Sequence, residues 1–157
     1  MSKVYLFDWG DTLMIDFPGQ EGKMYLWPHV ESVEGAEETL KHLSQSSAIY
    51  IATSAQDSSE SEIQQAFQRV GLDTYISGYF CIANLGLEKQ DPEFYRAIIN
   101  SVGQPASDVT MVGDSLEKDI YPAKEVGLNT VLFHTPASVL PEDTVHIDCL
   151  RQLIKQL

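Results

Sequence analysis

The stretch Val4-Tyr5-Leu6-Phe7-Asp8, close to the start of the chain, consists of four apolar residues followed at once by a carboxylate. Four further short apolar runs recur along the sequence: Ala48 to Ala52, Tyr79 to Ala83, Val109 to Val112, and Thr130 to Phe133. Because each run is apolar almost throughout and does not alternate with polar residues, we expect strands that are covered on both faces. Such strands are typical of a parallel sheet wrapped by helices.

Helical spacing fills the gaps between these runs. Ile63, Ala66, Phe67 and Val70 fall at positions i, i+3, i+4 and i+7, which gives one apolar stripe facing a sheet. Comparable patterns predict further helices around Val33 to Leu43, Tyr95 to Val102, Pro122 to Val126 and Leu150 to Leu157, and Thr144 to Ile147 suggests an edge strand. The alternation predicts an α/β fold, a three-layer Rossmann-like parallel sheet with helices on both faces, in a single domain over residues 1–157.

The charge of the chain excludes some classes of partner. Its 157 residues carry 23 acidic against 10 basic side chains, a formal net charge of -13. This excess repels a phosphate backbone and an anionic bilayer, so we expect no nucleic-acid partner and no membrane surface. Cys81 and Cys149 are too few for a disulfide scaffold, and their apolar surroundings indicate reduced thiols and a cytoplasmic location. The opening apolar run is too short for a signal peptide.

Polar residues follow three of the predicted strands at the point where each strand ends. Asp8 follows the first strand, Thr53 and Ser54 follow the second, and Asp114 follows the fourth. In a parallel α/β sheet ligands lie outside the carboxyl ends of the strands, so these residues should converge on one crevice. Two ionised carboxylates there need a cation between them, and oxygen ligands favour Mg²⁺. Lys89, just ahead of a predicted helix, is the candidate cation for a phosphate site.

These residues resemble the motifs of the haloacid dehalogenase (HAD) superfamily of phosphohydrolases. Phe7 to Leu13 resembles the first motif, Ile49 to Thr53 the second, Lys89 in Lys89-Gln90-Asp91-Pro92 the third, and Val112 to Asp119 the fourth. The four motifs occur in the right order and spacing. The resemblance covers about residues 3–133 and identifies the chain as a member of this superfamily.

The resemblance implies a set of roles for these positions. Asp8 would be the nucleophile that forms an aspartyl phosphate, which water then hydrolyses. Mg²⁺ would be held by the Asp8 carboxylate, the Gly10 carbonyl and the Asp114 carboxylate, with Asp119 close by. Lys89 would offset charge on the phosphoryl oxygens.

Three further residues complete the predicted substrate site. Thr53 would donate a hydrogen bond to a phosphoryl oxygen, and Ser54 lies beside it in the sequence. Trp9 follows the nucleophile and is either a wall of the substrate site or a packing residue.

One departure from the family pattern affects proton transfer. Related phosphatases carry a second aspartate two residues after the nucleophile, as the acid for the leaving alcohol and then the base for water, and here that residue is Gly10. Asp11 follows, where glycine is usual, and is a candidate substitute. General acid-base catalysis contributes roughly 10²–10⁴ in rate. We therefore expect a preference for good leaving groups, with a weakly active or non-catalytic phosphate- or phosphoprotein-binding module as the alternative.

A second departure is the lack of a cap. The intervals from Leu13 to Gly35 and from Thr53 to Lys89 are too short for the helical or α/β caps of many relatives. Residues 18–23 lie between Leu13 to Phe17 and Met24 to Trp27, which predicts a flap hairpin over about residues 13–29. An uncapped site would accept a small phosphorylated substrate or a phosphorylated macromolecule. Exposed apolar residues from Met24 to Trp27 would allow a homo-oligomer through the flap.

Overall fold

Six parallel strands form the sheet in the described part of the chain. A computed structural model describes residues 3–133 and 144–155. The strands are β1 (Val4–Phe7), β2 (Ala48–Ala52), β3 (Gly78–Phe80), β4 (Val109–Gly113), β5 (Asn129–Phe133) and β6 (His146–Ile147), in the order β3-β2-β1-β4-β5-β6. All neighbours pair in parallel, and β1 lies between β2 and β4. The order reverses direction at β1, so the crevice for a ligand is expected at the carboxyl ends of β1 and β4.

Apolar side chains cover both faces of the sheet, as the unbroken apolar runs predict. In β1, Val4 and Leu6 belong to one cluster of buried residues, whereas Tyr5 and Phe7 belong to the other. Successive side chains of a strand point to opposite faces, so every residue of β1 is buried against one layer of helices or the other. The predicted three-layer, Rossmann-like α/β fold is confirmed.

The helices of the described residues lie in the predicted intervals, except for one short helix at residues 82–85 that no pattern predicted. They are α1 (Ala36–Leu43), α2 (Glu60–Gln68), α3 (Ile82–Leu85), α4 (Pro92–Val102), α5 (Tyr121–Val126) and α6 (Gln152–Lys155). Single turns of 3₁₀-helix cover Met24–Leu26, Asp73–Tyr75 and Ala106–Asp108, and a π-helical turn, Leu116–Ile120, precedes α5. In the described part of the chain, none of these helices combines the length and apolarity that a membrane span requires.

Several boundaries differ from the sequence-based expectation. The third strand, predicted over Tyr79 to Ala83, ends at Phe80 because the Asn84 side chain accepts a bond from the Cys81 N–H and donates to the Tyr79 carbonyl, which starts α3. The edge strand is limited to His146–Ile147. Helix α6 begins only at Gln152, and Leu157 lies outside the described residues.

The predicted flap hairpin is wrong in its pairing. Leu13 to Phe17 does not pair with Met24 to Trp27; instead Ile15 N–H donates to Glu31 O at 2.9 Å and Val33 N–H donates to Leu13 O at 2.8 Å. The two ends of residues 13–33 therefore pair with each other, and the residues between them form a longer loop. Residues 13–33 are called the 13–33 segment below. A pattern of apolar residues cannot distinguish these two pairings, because both bring apolar residues together.

The loop residues expected to be exposed are mostly buried. Met24 and Trp27 are both only 7% exposed and belong to the core that includes Phe67 of α2. Leu26 is the exception, with 67% of its surface exposed. The apolar contact surface expected for a homo-oligomer through this loop is thus reduced to one large side chain. Within residues 3–133 no further domain is inserted beside this loop.

Candidate active site

The predicted site residues meet at the carboxyl ends of β1, β2 and β4. Asp8 follows β1, Thr53 and Ser54 follow β2, and Asp114 follows β4. They line one open pocket of about 380 Å³, together with Gly10, Asp11, Asp16, Ala55, Lys89, Ser115, Lys118 and Asp119. The sheet topology therefore brings together side chains that are more than a hundred residues apart in the sequence.

Lys89 lies at the centre of the charged groups. Its Nζ is 2.7 Å from Asp8 Oδ1 and 2.6 Å from Asp119 Oδ1, and it also donates to the carbonyl of Ala52 at 3.1 Å. Only 2% of Lys89 is exposed. Burial by itself would lower the pKa of this ammonium, but Asp8 and Asp119 outweigh it, so the pKa is raised and Lys89 remains protonated.

The loop that carries Lys89 is attached to the end of β2. The Ser54 hydroxyl accepts a hydrogen bond of 2.9 Å from the Lys89 N–H. Asp91 then caps α4 by accepting from the Glu93 N–H, and Pro92 occupies the first turn. Ser54, predicted as a substrate-binding residue, lines the pocket, and its hydroxyl oxygen is already engaged in holding this loop.

Three carboxylates form a group that fits a divalent cation. One oxygen from each of Asp8, Asp114 and Asp119 lies within 4.8 Å of the others. Burial, and then the charge of Asp8 and a hydrogen bond with it, raise the pKa of Asp114 above the usual aspartate value. Among the residues that the structure describes, Lys89 is the one ammonium in contact with Asp8 and Asp119, so the three carboxylates outnumber the positive charge beside them. An all-oxygen set of this kind suits Mg²⁺, which would supply the missing charge.

Asp119 is nearly inaccessible and is held by two donors. Its Oδ1 accepts from Lys89 and its Oδ2 accepts from the Ser115 N–H at 3.1 Å. Burial and the charge of Asp8 raise its pKa, and Lys89 offsets part of that rise. A Cβ built on Gly113 would clash with Asp119 Oδ2, so the glycine before Asp114 is required for this carboxylate to pack against the end of β4.

Two threonine hydroxyls are buried at this end of the sheet. Thr12 is fully buried and donates to Asp8 Oδ2 at 3.1 Å, so the two oxygens of Asp8 have different partners, Thr12 and Lys89. Thr53 is buried at the end of β2, and its Oγ1 accepts from the Ala55 N–H at 3.1 Å. The Thr53 hydroxyl proton is then left to donate into the pocket, as the predicted phosphate-binding role requires.

Trp9 is a packing residue that also lines a neighbouring cavity. The indole is 6% exposed, its Nε1–H points to Met14 Sδ at 3.3 Å, and its ring centroid is 6.2 Å from that of Phe67. It lines a pocket of about 240 Å³ that shares Gly10, Asp16, Thr53 and Ala55 with the first pocket. Both interpretations left open for Trp9 therefore agree with its position.

Asp11, the predicted substitute acid, is engaged elsewhere. Its backbone has a φ of 60°, a left-handed conformation that aspartate tolerates better than most residues. Its Oδ1 accepts a hydrogen bond of 3.0 Å from the Asp16 N–H. Asp11 therefore shapes the start of the 13–33 segment and positions Asp16.

Sequence reasoning missed Asp16 and Thr12 as residues of this site. Asp16 lies in Ile15-Asp16-Phe17, where the predicted hairpin gave it no special place, and the structure shows it at the pocket wall. Thr12 stands four residues after Asp8 and could have been found from the first motif alone, since a tight turn returns it to that carboxylate.

Comparison with known proteins gives one family and several phosphatases. The sequence model of the haloacid dehalogenase-like hydrolases matches residues 15–127. Ribulose-1,5-bisphosphate 5-phosphatase of Halopiger xanaduensis is 34% identical over 101 residues, which cover 64% of this chain and 41% of that protein. Glyceraldehyde 3-phosphate phosphatase of Methanocaldococcus jannaschii is 35% identical over 63 residues, which cover 40% of this chain and 28% of that protein. The chain thus matches less than half the length of these curated relatives.

Solved structures share the fold at low sequence identity. A protein from Listeria monocytogenes serotype 4b superposes with a TM-score of 0.83 at 19% identity, over 99% of both chains. The HAD-hydrolase YfnB from Bacillus subtilis, solved bound to magnesium, superposes with a TM-score of 0.77 at 17% identity, over 99% of this chain and 98% of that one. Because the family model extends over more than half of the sequence, this protein belongs to the haloacid dehalogenase-like hydrolases.

Proposed function

We propose that the protein is a Mg²⁺-dependent phosphohydrolase in which the substrate phosphorylates Asp8 and water then hydrolyses the aspartyl phosphate. The observation that carries this proposal is the contact between Lys89 Nζ and Asp8 Oδ1, 2.7 Å, at the floor of a pocket that Asp114 and Asp119 also line. A carboxylate whose two oxygens are held by an ammonium and a hydroxyl is fixed in orientation. Such fixed orientation favours attack on a bound phosphorus atom.

The chain's own residues divide the work of phosphoryl transfer. Asp8 attacks phosphorus, Lys89 offsets negative charge on the phosphoryl oxygens, and Thr53 donates a hydrogen bond to one of them. Asp8, Asp114 and the Gly10 carbonyl would hold Mg²⁺, with Asp119 next to them. When bound, Mg²⁺ supplies positive charge that neutralises these carboxylates and the phosphoryl group.

The phosphatase relatives support a phosphate ester or acyl phosphate as substrate. The pocket is open, and its cationic groups are Lys89 and Lys118 among the described residues that line it. We infer that a small phosphorylated molecule, or a phosphorylated side chain of a macromolecule, reaches Asp8 from this side. The preference for good leaving groups expected from Gly10 holds only if no other acid reaches the leaving oxygen.

A phosphatase screen tests the proposed function. Purified protein is assayed with p-nitrophenyl phosphate, acetyl phosphate and alkyl phosphates, with Mg²⁺ or with EDTA, and Asp8→Asn is compared with Asp148→Asn, which changes an exposed carboxylate outside the pocket. We expect turnover that needs Mg²⁺ and is lost in Asp8→Asn by about 10⁴-fold or more, as for other removed nucleophiles. Asp148→Asn should retain wild-type turnover.

The alternative function has a different outcome in the same screen. A phosphate- or phosphoprotein-binding module would bind beryllium fluoride or vanadate tightly in the presence of Mg²⁺ but release no phosphate from any substrate. That result would exclude the phosphohydrolase and favour the module.

A further inference from the structure

The proton donor to the leaving group is the part of the site that the family motifs leave open, with Asp11 as the candidate from the sequence. An alkoxide is a poor leaving group at neutral pH, so an alkyl phosphate needs an acid at the bridging oxygen. Gly10 has no side chain, and the Asp11 carboxylate accepts from the Asp16 N–H. Lys89 is shared between Asp8 and Asp119 and stays protonated.

The carboxyl group of Asp16 occupies the space beside Gly10. A Cβ built on Gly10 would lie 3.6 Å from Asp16 Cβ, 3.9 Å from its Cγ and 3.8 Å from its Oδ2. The Asp16 carboxyl group, which belongs to the 13–33 segment, thus lies near the place where a side chain at position 10 would begin. The short hydrogen-bonded loop made by Asp11 holds the backbone of Asp16 in this place.

Asp16 also lies where a leaving group would enter. It lines the pocket that contains Asp8, and it lines the adjoining pocket formed by Trp9, Met24 and Trp27. A phosphoryl group beside Asp8 with its alcohol portion in the adjoining pocket would place the bridging oxygen between the two, next to Asp16. The described residues lining the adjoining pocket include Asp57 but no cationic side chain, which disfavours a negatively charged alcohol.

The state of Asp16 suits a proton donor. The residue is exposed at the pocket mouth, and no hydrogen bond to its carboxyl group is found among the described residues. Partial burial at the pocket wall, and then the charges of Asp11 and Asp8, raise its pKa above the usual aspartate value. A larger fraction of its carboxyl groups is therefore protonated than for an isolated aspartate.

We propose that Asp16 is a catalytic residue that donates a proton to the leaving alcohol and then accepts one from the attacking water. In the first step an Asp8 oxygen bonds to phosphorus, the bond from phosphorus to the alcohol oxygen breaks, and the Asp16 proton moves to that oxygen. In the second step water bonds to phosphorus and gives its proton to the Asp16 carboxylate, and the Asp8 carboxylate leaves. Inorganic phosphate is released and both aspartates return to their starting states.

The role of Asp16 rests on the proposed phosphohydrolase function and is tested by leaving-group dependence. Asp16→Asn is compared with wild type and with Glu21→Gln, which changes an exposed carboxylate on the same segment outside both pockets. Single-turnover phosphorylation of Asp8 is measured with p-nitrophenyl phosphate and with uncharged alkyl phosphates. We expect Asp16→Asn to lose about 10²–10⁴-fold with alkyl phosphates. The burst of p-nitrophenol should persist, followed by slow release of phosphate and an accumulated phosphoenzyme detected by intact mass spectrometry.

The second part of the test removes the carboxylate at position 16 and introduces one at position 10. Gly10 does not have a left-handed φ, and an added Cβ makes only ordinary contacts, so neither the backbone nor the first side-chain atom opposes Gly10→Asp. In the Asp16→Asn background it should recover part of the alkyl phosphate turnover. Unchanged alkyl turnover in Asp16→Asn, or equal loss of the alkyl and aryl reactions, would overturn the role of Asp16 while leaving the phosphohydrolase intact. A wild-type protein without Asp8-dependent turnover would overturn both.

Discussion

The strand-end cluster of Asp8, Lys89, Asp114 and Asp119 and the 13–33 segment line the same pocket, but they are held in different ways. Asp8, Lys89 and Asp119 are 8%, 2% and 1% exposed. The Lys89 ammonium forms an ion pair with the carboxylate of each of the two aspartates. The 13–33 segment contributes the exposed Asp16 and has no strand in the sheet. The cluster is fixed by charge within a rigid framework, whereas the segment is fixed by contacts along its backbone.

Besides the hydrogen bonds within the segment, contacts come from helix α2 and the residue just after it. The Arg69 guanidinium donates to the carbonyls of Tyr25, Trp27 and Pro28, and Lys23 forms an ion pair of 2.7 Å with Glu62. In the proposed mechanism, the attacking group, Asp8, and the proton donor, Asp16, would thus be supplied by two regions that are held in place by different contacts.

The largest loss of stability is expected from removing the ammonium group of the strand-end cluster. Lys89→Met leaves Asp8 and Asp119 buried without their shared partner. Breaking a buried ion pair in this way costs about 3–5 kcal/mol in the free energy of unfolding. Urea unfolding in EDTA should show this loss. The control Lys41→Met, at an exposed position of α1, should stay within about 0.5 kcal/mol of wild type. Equal stability of Lys89→Met and wild type would mean that the cluster does not depend on this charge.

An intermediate effect is expected from adding one methyl group behind the cluster. In Gly113→Ala the new Cβ would lie 2.6 Å from Asp119 Cβ, so Asp119 must shift, at a cost of about 1–3 kcal/mol for overpacking. We expect the displaced carboxylate to weaken Mg²⁺ binding by about 10–100-fold, measured by calorimetry.

Gly10→Ala is the matched control for this change. Its Cβ would meet Asp16 at 3.6 Å, an ordinary contact, and the Gly10 carbonyl is retained. Its Mg²⁺ affinity should stay near that of wild type. Equal affinities for Gly113→Ala and Gly10→Ala would show that the position of Asp119 does not matter for the metal.

The smallest effect is expected from releasing the 13–33 segment. Arg69→Ala removes hydrogen bonds at the protein surface, so we expect a loss of about 1 kcal/mol in the free energy of unfolding. Hydrogen exchange should increase in residues 23–28 and not in the strands. Arg96→Ala, which removes an exposed ion pair with Glu93 on α4, controls for the loss of a charge. Faster exchange at the strand ends in Arg69→Ala would contradict the separation of the two regions.

Much of the fold and the strand-end cluster could be predicted from residue types and their order. The apolar runs gave the strands because a buried parallel strand needs apolar residues on both faces. Asp8, Thr53 and Asp114 could be assigned to one pocket since parallel strands end at the same edge of the sheet. The meeting of Lys89 with Asp8 followed from a family resemblance and was not evident from spacing alone.

The 13–33 segment could not be predicted in the same detail. Its apolar residues are compatible with more than one pairing, and the buried positions of Met24 and Trp27 depend on contacts with α2. Sequence patterns alone do not distinguish which of the two carboxylates, Asp11 or Asp16, lies beside Gly10. Their different positions follow from one left-handed backbone conformation and one hydrogen bond.

The sequence by itself determined the layered fold, the carboxylates at the strand ends and the absence of a side chain at position 10. Only the tertiary structure decided that Asp16 lies beside Gly10, that Ser54 holds the Lys89 loop, and that Asp119 shares the ammonium with Asp8. The physical reason is that strand ends are brought together by backbone pairing, which residue patterns encode over long stretches. The direction of a loop side chain depends on a few dihedral angles and hydrogen bonds that form only when the whole chain is folded.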